Sequence, residues 1–153
     1  MPKHFRYQIF VLLCTAALSG CGTDVKAGYF DKDKEEALAG VEKFRVLSKK
    51  QDYTRLYDLG SAVMKASISK DKFISAAQAS MAQYGEYESS VLVGSSCFPS
   101  EVRLVYDAKY QKANVRELMI WSMPGTQAEL TMYQIGAGQD QFDKTSQVGC
   151  PVP

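Results

Sequence analysis

The chain has 153 residues, 46% hydrophobic and 23% charged, with a formal net charge of +1. That length supports one domain with a real core, and that composition excludes a disordered, fibrous or multi-span membrane protein. A near-neutral charge gives no footprint for nucleic acid, which needs clustered cations, so nucleic acid is not an expected partner.

Residues 1–20 read as a signal peptide. Lys3 and Arg6 make a positive start, and an apolar run follows over residues 9–18. The run is about ten residues, half of what a spanning helix needs. Leu18-Ser19-Gly20-Cys21 then resembles the lipobox of bacterial lipoproteins: a leucine, two small residues and a cysteine. The resemblance implies a diacylglyceryl group on the Cys21 thiol, cleavage before Cys21 and acylation of the new amino terminus. Several acyl chains, at about 0.8 kcal/mol per buried methylene, anchor stably where one chain is marginal. The expected location is therefore the cell envelope, with the membrane as a partner through the lipid. In the lipoprotein pattern an aspartate after the cysteine favours inner-membrane retention. Gly22 stands there, which implies the outer membrane, facing the periplasm. Without Lys3 and Arg6, the 18 basic groups become 16 against 17 acidic ones.

Of four cysteines, Cys14 leaves with the signal and Cys21 takes the lipid. Cys97 and Cys150 remain, and an oxidising compartment favours pairing them. Such a disulfide closes a loop of roughly 54 residues, which the chain-entropy argument values at about 4 kcal/mol. A redox or metal pair fits less well, because the spacing is wide and there is no C-x-x-C.

Residues 21–33 form a polar tether, and residues 34–153 the folded domain. Ala37, Leu38, Val41, Phe44 and Leu47 have helical spacing and predict an amphipathic helix over 34–50. The acids of "DKDKEE" (31–36) suit a solvated helix start. Asp52 is placed to cap a short second helix with Tyr53, Leu56 and Tyr57, broken at Gly60-Ser61. Residues 62–67 are a connector or a further turn of helix. Ser69 then caps a helix carrying Phe73, Ala76, Ala77, Ser80, Met81 and Tyr84, stopped by Gly85.

Beyond Gly85 the period becomes two. Residues 86–93 read as a strand and 94–100 as a loop holding Cys97. In "EVRLVYDAKYQK" Val102, Leu104, Tyr106, Ala108 and Tyr110 share one face, while Arg103, Asp107 and Lys109 share the other. "VRELMIWS" follows a tight connection at Ala113-Asn114. Pro124-Gly125 suits a type II turn into a last strand, "AELTMYQI". Helices in a block followed by about four antiparallel strands imply an α+β fold, with helices on one face of a curved sheet.

The stretches "LSKKQDYTRLYDLGSAVMKASISKDKFISAAQASMAQYGEYESS" (47–90) and "VRLVYDAKYQKANVRELMIWSMPGTQAELTMYQI" (102–135) resemble the nuclear transport factor 2-like, or cystatin-like, superfamily. The likeness is greatest to its small bacterial domains of unknown function on exported proteins. A "Q-D-Y" opens a helix, a phenylalanine-bearing helix runs to "Y-G-E-Y", and "V-x-L-x-Y-x-A-x-Y" precedes "E-x-M-I". The resemblance implies a cone-shaped domain with a cavity between sheet and helices. Some relatives are enzymes, some bind small ligands, and many dimerise or present a binding surface; fold alone does not choose among these.

The chain's one histidine, His4, lies in the signal peptide. Its loss removes histidine-based triads and ordinary zinc sites, and no metal or cofactor is expected. "IGAGQD" follows a strand but opens no helical pattern, so it is not a dinucleotide loop. Glu117 is the acid to consider for chemistry. It shares a face with Val115, Met119 and Trp121, within reach of Tyr106, Tyr110 and Tyr133, a candidate pocket. Desolvation can raise such a carboxyl's pKa and make it a base. The plainer alternatives are a rim position, or an ion pair with Arg103 or Lys109. Most of the nine tyrosines sit at core-facing positions and read as packing. The expected function is a non-enzymatic binding or assembly module, working with an envelope partner or as a homodimer. A small-ligand carrier or sensor is the alternative. A carboxylate-dependent isomerase or hydrolase is a third reading. An open cavity above about 300 Å3 with a few polar groups favours the carrier.

Overall fold

The computed structural model describes residues 28–136 and Cys150. The stretches expected as a signal peptide, as a lipobox with Cys21 and as the first part of a tether, and most of the tail after the last strand, lie outside the described residues. Among the described residues four helices precede four strands: α1 (Gly28–Lys49), α2 (Tyr53–Asp58), α3 (Ala62–Ser67), α4 (Lys70–Tyr84), β1 (Tyr87–Phe98), β2 (Glu101–Tyr110), β3 (Asn114–Ser122) and β4 (Glu129–Gly136). The strands form one open antiparallel sheet in sequence order, with the helices ahead of it, an α+β fold.

Helix α1 begins six residues earlier than the periodicity predicts, inside the stretch expected as tether. No glycine or proline occurs between Gly28 and Gly40, so nothing stops the helix running back. Asp33 is buried rather than solvated. Ala37, Val41 and Phe44 turn inward, each under 5% exposed. Gly40 lies against Trp121, where an added methyl would stand 2.7 Å from Cζ3 of the indole. The helix therefore seats on the sheet at a distance that a side chain would prevent.

Asp52 caps α2, accepting a hydrogen bond from the Arg55 N–H at 3.2 Å. The connector after it is helical: Ser61 caps α3 by accepting from the Met64 N–H at 3.2 Å. Around that cap the backbone joins the sheet edge. The Ser61 N–H donates to the Leu130 carbonyl and the Leu130 N–H to the Leu59 carbonyl, both at 2.8 Å. These bonds occupy part of the outer edge of β4 that would otherwise be unpaired.

The core face of the sheet follows the alternation of β2. Val102, Leu104, Tyr106 and Ala108 are buried beside Val115, Met119 and Trp121 of β3. Each large apolar side chain buried there contributes about 1.5–3 kcal/mol. Strand β1 runs through the segment expected as a loop. Cys97 pairs opposite Val102, and the connection shrinks to Pro99-Ser100, with Ser100 at φ 61°. Small polar residues hide the strand in sequence, and pairing to β2 overrides their weak propensity. A bulge between Leu92 and Gly94 bends it. The type II turn at Pro124-Gly125 does not form, because Gly125 lacks the required positive φ. Residues 123–128 make a longer loop, drawn to the β1–β2 turn by the Met123 N–H donating to the Ser100 carbonyl at 3.0 Å.

At the opposite end of the sheet the β2–β3 hairpin meets the end of α4. The Lys112 N–H donates to the Tyr84 carbonyl at 2.9 Å, and the Gln111 N–H to the Glu86 carbonyl at 3.0 Å. Gly85 ends α4 at φ 79°, with the Gln111 Cβ only 2.9 Å from where its own would be, so both conformation and space call for glycine. Cys150 reaches the core beside Cys97, with the two Cα atoms 4.9 Å apart and the sulfurs at bonding distance.

Helix α4 differs from α1. It has no buried residue, and its packing partner is α2, through the Tyr57–Phe73 ring pair at 5.5 Å. Its Ser69 cap makes no side-chain hydrogen bond. Its far end meets β2 through Tyr84 and Tyr110, with ring centroids 6.1 Å apart. Between these ends it stands off the sheet.

Candidate functional site

The four residues expected as a pocket come together around one carboxylate. Glu117 is fully buried on β3. It does not sit at a rim, and its partner is neither Arg103 nor Lys109. Those two lie on the outer face, paired with Glu101 at 2.6 Å and Glu88 at 2.7 Å. The partner is Arg45 of α1, itself only 8% exposed. Arg45 Nη1 donates to Glu117 Oε1 at 2.9 Å, and Nη2 donates to Oε2. The Tyr110 and Tyr133 hydroxyls each donate to Oε1 at 2.6 Å and lie 3.2 Å from one another. The guanidinium stacks over the Tyr87 ring at 4.2 Å and reaches the Tyr106 ring at 5.6 Å. Its Nε is left without a hydrogen-bond partner.

The charges of this cluster follow from burial. Burial lowers the Arg45 pKa, but the hydrogen bond and charge of Glu117 outweigh it, so the pKa rises above the ordinary value. Burial pushes the Tyr106 hydroxyl up to about 12, although Arg45 pulls the other way. Tyr110 is raised further by burial, by the Glu117 charge and by its bond to that carboxylate. Tyr133 is raised for the same reasons, burial first. All three stay protonated at neutral pH.

Arg45 is the member that the sequence reading missed. Its signal is positional: it lies four residues after Val41 and next to Phe44, on the edge of the apolar stripe of α1. A cation on that stripe needs an interior counter-charge. Glu117 on an apolar strand face is the matching oddity.

In front of the cluster lies a cavity of about 360 Å3. Its walls are the underside of α4, the end of α1 with α2, and the sheet at Tyr110, Tyr133 and Ile135. From α4 it receives Phe73, Ala76, Ala77, Ser80 and Met81, the residues whose spacing predicted an inward face. Ala76, Ala77 and Ser80 are too small to close the gap to the sheet. Lys49 is the cation in the wall and Glu86 the anion. Tyr110 and Tyr133 belong to both cluster and cavity, whereas Glu117 and Tyr106 stand behind the wall. Glu117 is thus screened from the cavity and held by three partners. Among the described residues no group of acids, cysteines or histidines is arranged to hold a metal. Also among them, no helix is long and apolar enough to cross a membrane.

Compared with protein-family models, with curated proteins and with solved structures, the chain matches none.

The buried pair predicts a characteristic double-mutant cycle. Glu117→Leu alone leaves the Arg45 charge uncompensated in the interior and lowers unfolding stability by about 3–5 kcal/mol. Replacing the pair together, as Arg45→Met with Glu117→Leu, restores much of the loss. Urea denaturation of the four proteins measures this, and simple additivity of the two single losses would count against a coupled pair.

The tyrosines predict an alkaline limit. An unfolded tyrosine ionises near 10.0, while folded Tyr106 holds its proton to about 12. Below pH 10 the full stability is present. Above it the unfolded chain releases protons that the folded chain keeps, so stability falls with pH through about 12. A tyrosinate absorbance titration run beside melting curves should show the buried hydroxyls ionising only as the protein unfolds.

Proposed function

We propose that the chain is a lipid-anchored envelope lipoprotein whose domain is a non-enzymatic module binding a small apolar ligand beneath α4. The cavity carries the reading. At about 360 Å3, with predominantly apolar walls and a few polar groups, it falls in the range of small-molecule sites. It meets the condition that favours a ligand carrier over a closed module acting only through its surface. The seating of Glu117 supports a binding role over acid–base chemistry, since its oxygens are committed to Arg45, Tyr110 and Tyr133. The likeness to the nuclear transport factor 2-like superfamily points the same way, with a sheet and helices enclosing a cavity.

A neutral fluorescent apolar probe, N-phenyl-1-naphthylamine, tests the binding role. Its emission should rise on titration with the protein and saturate at one site. Ala77→Trp, which fills the cavity from α4, should abolish the rise while circular dichroism and melting remain near those of the parent. No rise with the parent protein removes the proposal.

The envelope address rests on the lipobox at Cys21 and on the pairing of Cys97 with Cys150. Metabolic labelling with an alkyne palmitate should mark the full chain and be lost in Cys21→Ala. Mass spectrometry of the same non-reduced material should find Cys97 and Cys150 in one linked peptide. An unlabelled parent protein rejects the anchor, and free thiols at both positions reject the bridge.

A further inference from the structure

We propose that the ligand of the cavity is uncharged and is recognised as a hydrogen-bond donor, by an O–H or N–H that it gives to Tyr110 and Tyr133. The inference rests on the reading of the cavity as an apolar ligand site and adds the polarity of the group that the wall selects. Charge does not make the selection. Lys49 and Glu86 place one cation and one anion in the wall, both exposed, and the carboxylate of Glu117 behind it is balanced by Arg45. Recognition of a polar group therefore falls to the hydroxyls.

A hydroxyl has one proton to give and lone pairs with which to accept. At Tyr110 and Tyr133 the proton is spent. Both donate to Glu117 Oε1 at 2.6 Å, the length of a bond strengthened by charge. Their oxygens, 3.2 Å apart, stand side by side as acceptors. Two more lining hydroxyls are committed in the same sense. Ser67 donates to the Met64 carbonyl at 2.7 Å, and Thr131 to Ser61 Oγ at 3.3 Å. The hydroxyls of Ser48, Tyr53, Ser80 and Tyr87 can turn either way and impose no direction. A donating ligand thus finds a partner at any of these, while a carbonyl or ether oxygen at the two tyrosines meets only lone pairs. A polar group taken out of water without a new partner keeps the cost of its desolvation, so the wall discriminates by the donors it lacks.

The test uses residues 21–153 with Cys21→Ser, exported behind a cleavable secretory leader, so that the chain carries no acyl group. Calorimetric titrations at neutral pH compare three small naphthalenes. 1-Naphthol donates, 1-methoxynaphthalene only accepts, and 1-methylnaphthalene does neither. Naphthol should bind about three- to tenfold tighter than the other two, the yield of one hydrogen bond. An apolar cavity without this preference would order them the other way, since the ether and the hydrocarbon bury more apolar surface. Arg45→Met with Glu117→Leu changes no lining residue but frees both tyrosine protons. It should bring the ether to within about twofold of naphthol, whereas a merely structural disturbance would weaken all three probes alike. Naphthol binding no tighter than the methyl compound, or a preference that survives the double replacement undiminished, overturns the donor assignment and leaves the apolar site standing. Failure of all three probes to bind, together with failure of the naphthylamine, overturns both readings.

Discussion

The ion pair between Arg45 and Glu117 is the constraint from which the arrangement of the domain follows. Two charges taken out of water are costly unless their geometry and remaining hydrogen bonds compensate. Here Glu117 accepts from both ends of the guanidinium and from two tyrosines, and the free face of Arg45 lies on the Tyr87 ring. Few other placements of α1 could provide this. Five residues earlier Gly40 meets Trp121 at a distance that tolerates no side chain. One contact fixes how close the helix lies, and the other fixes its rotation and its position along the sheet. Apolar packing alone would specify neither so sharply.

Helix α4 shows what happens without such constraints. Its inward residues are mostly alanine and serine, its packing partner is another helix, and none of its residues is buried. It is held at its ends, by Phe73 on Tyr57 and by Tyr84 on Tyr110. An element with so little buried apolar contact belongs to the low end of local stability. The cavity thus has a floor fixed by buried charges and a roof held mainly at its ends. The polar groups of the floor satisfy one another, whereas the roof contributes little packing between its ends.

The fold class was legible because two periods divide the chain cleanly, 3.6 before Gly85 and 2 after it. The alternation of β2 named its buried face correctly, and Asp52 and Gly85 marked helix ends by their chemistry, whereas Ser61, read only as a break, caps α3 and Ser69, read as a cap, makes no cap bond. Misreadings arose where local signals were overridden. The small polar residues of β1 looked like a loop until paired with β2. Pro124-Gly125 looked like a tight turn until the loop was drawn to Ser100. The candidate site was half legible. Glu117 and its tyrosines could be gathered from strand faces. Arg45 lies 72 positions from Glu117, and only the fold brings a helix cation onto a strand carboxylate.

The pairing also separates two roles that the sequence places on one face. Read along β3, Glu117 shares an apolar surface with the residues of a pocket, and a desolvated carboxylate there suggests proton chemistry. In the folded chain the tyrosines stand between that carboxylate and the open space. Their protons point inward to Glu117, so the surface they turn to the cavity is one of aromatic edges and oxygen lone pairs. Such a wall offers apolar contact and hydrogen-bond acceptors, while the carboxylate behind it is balanced by Arg45. The way the two hydroxyls face the cavity is therefore set by a pair of charges that do not line it. A change at Arg45 or Glu117 would alter the wall without altering any residue that lines the cavity.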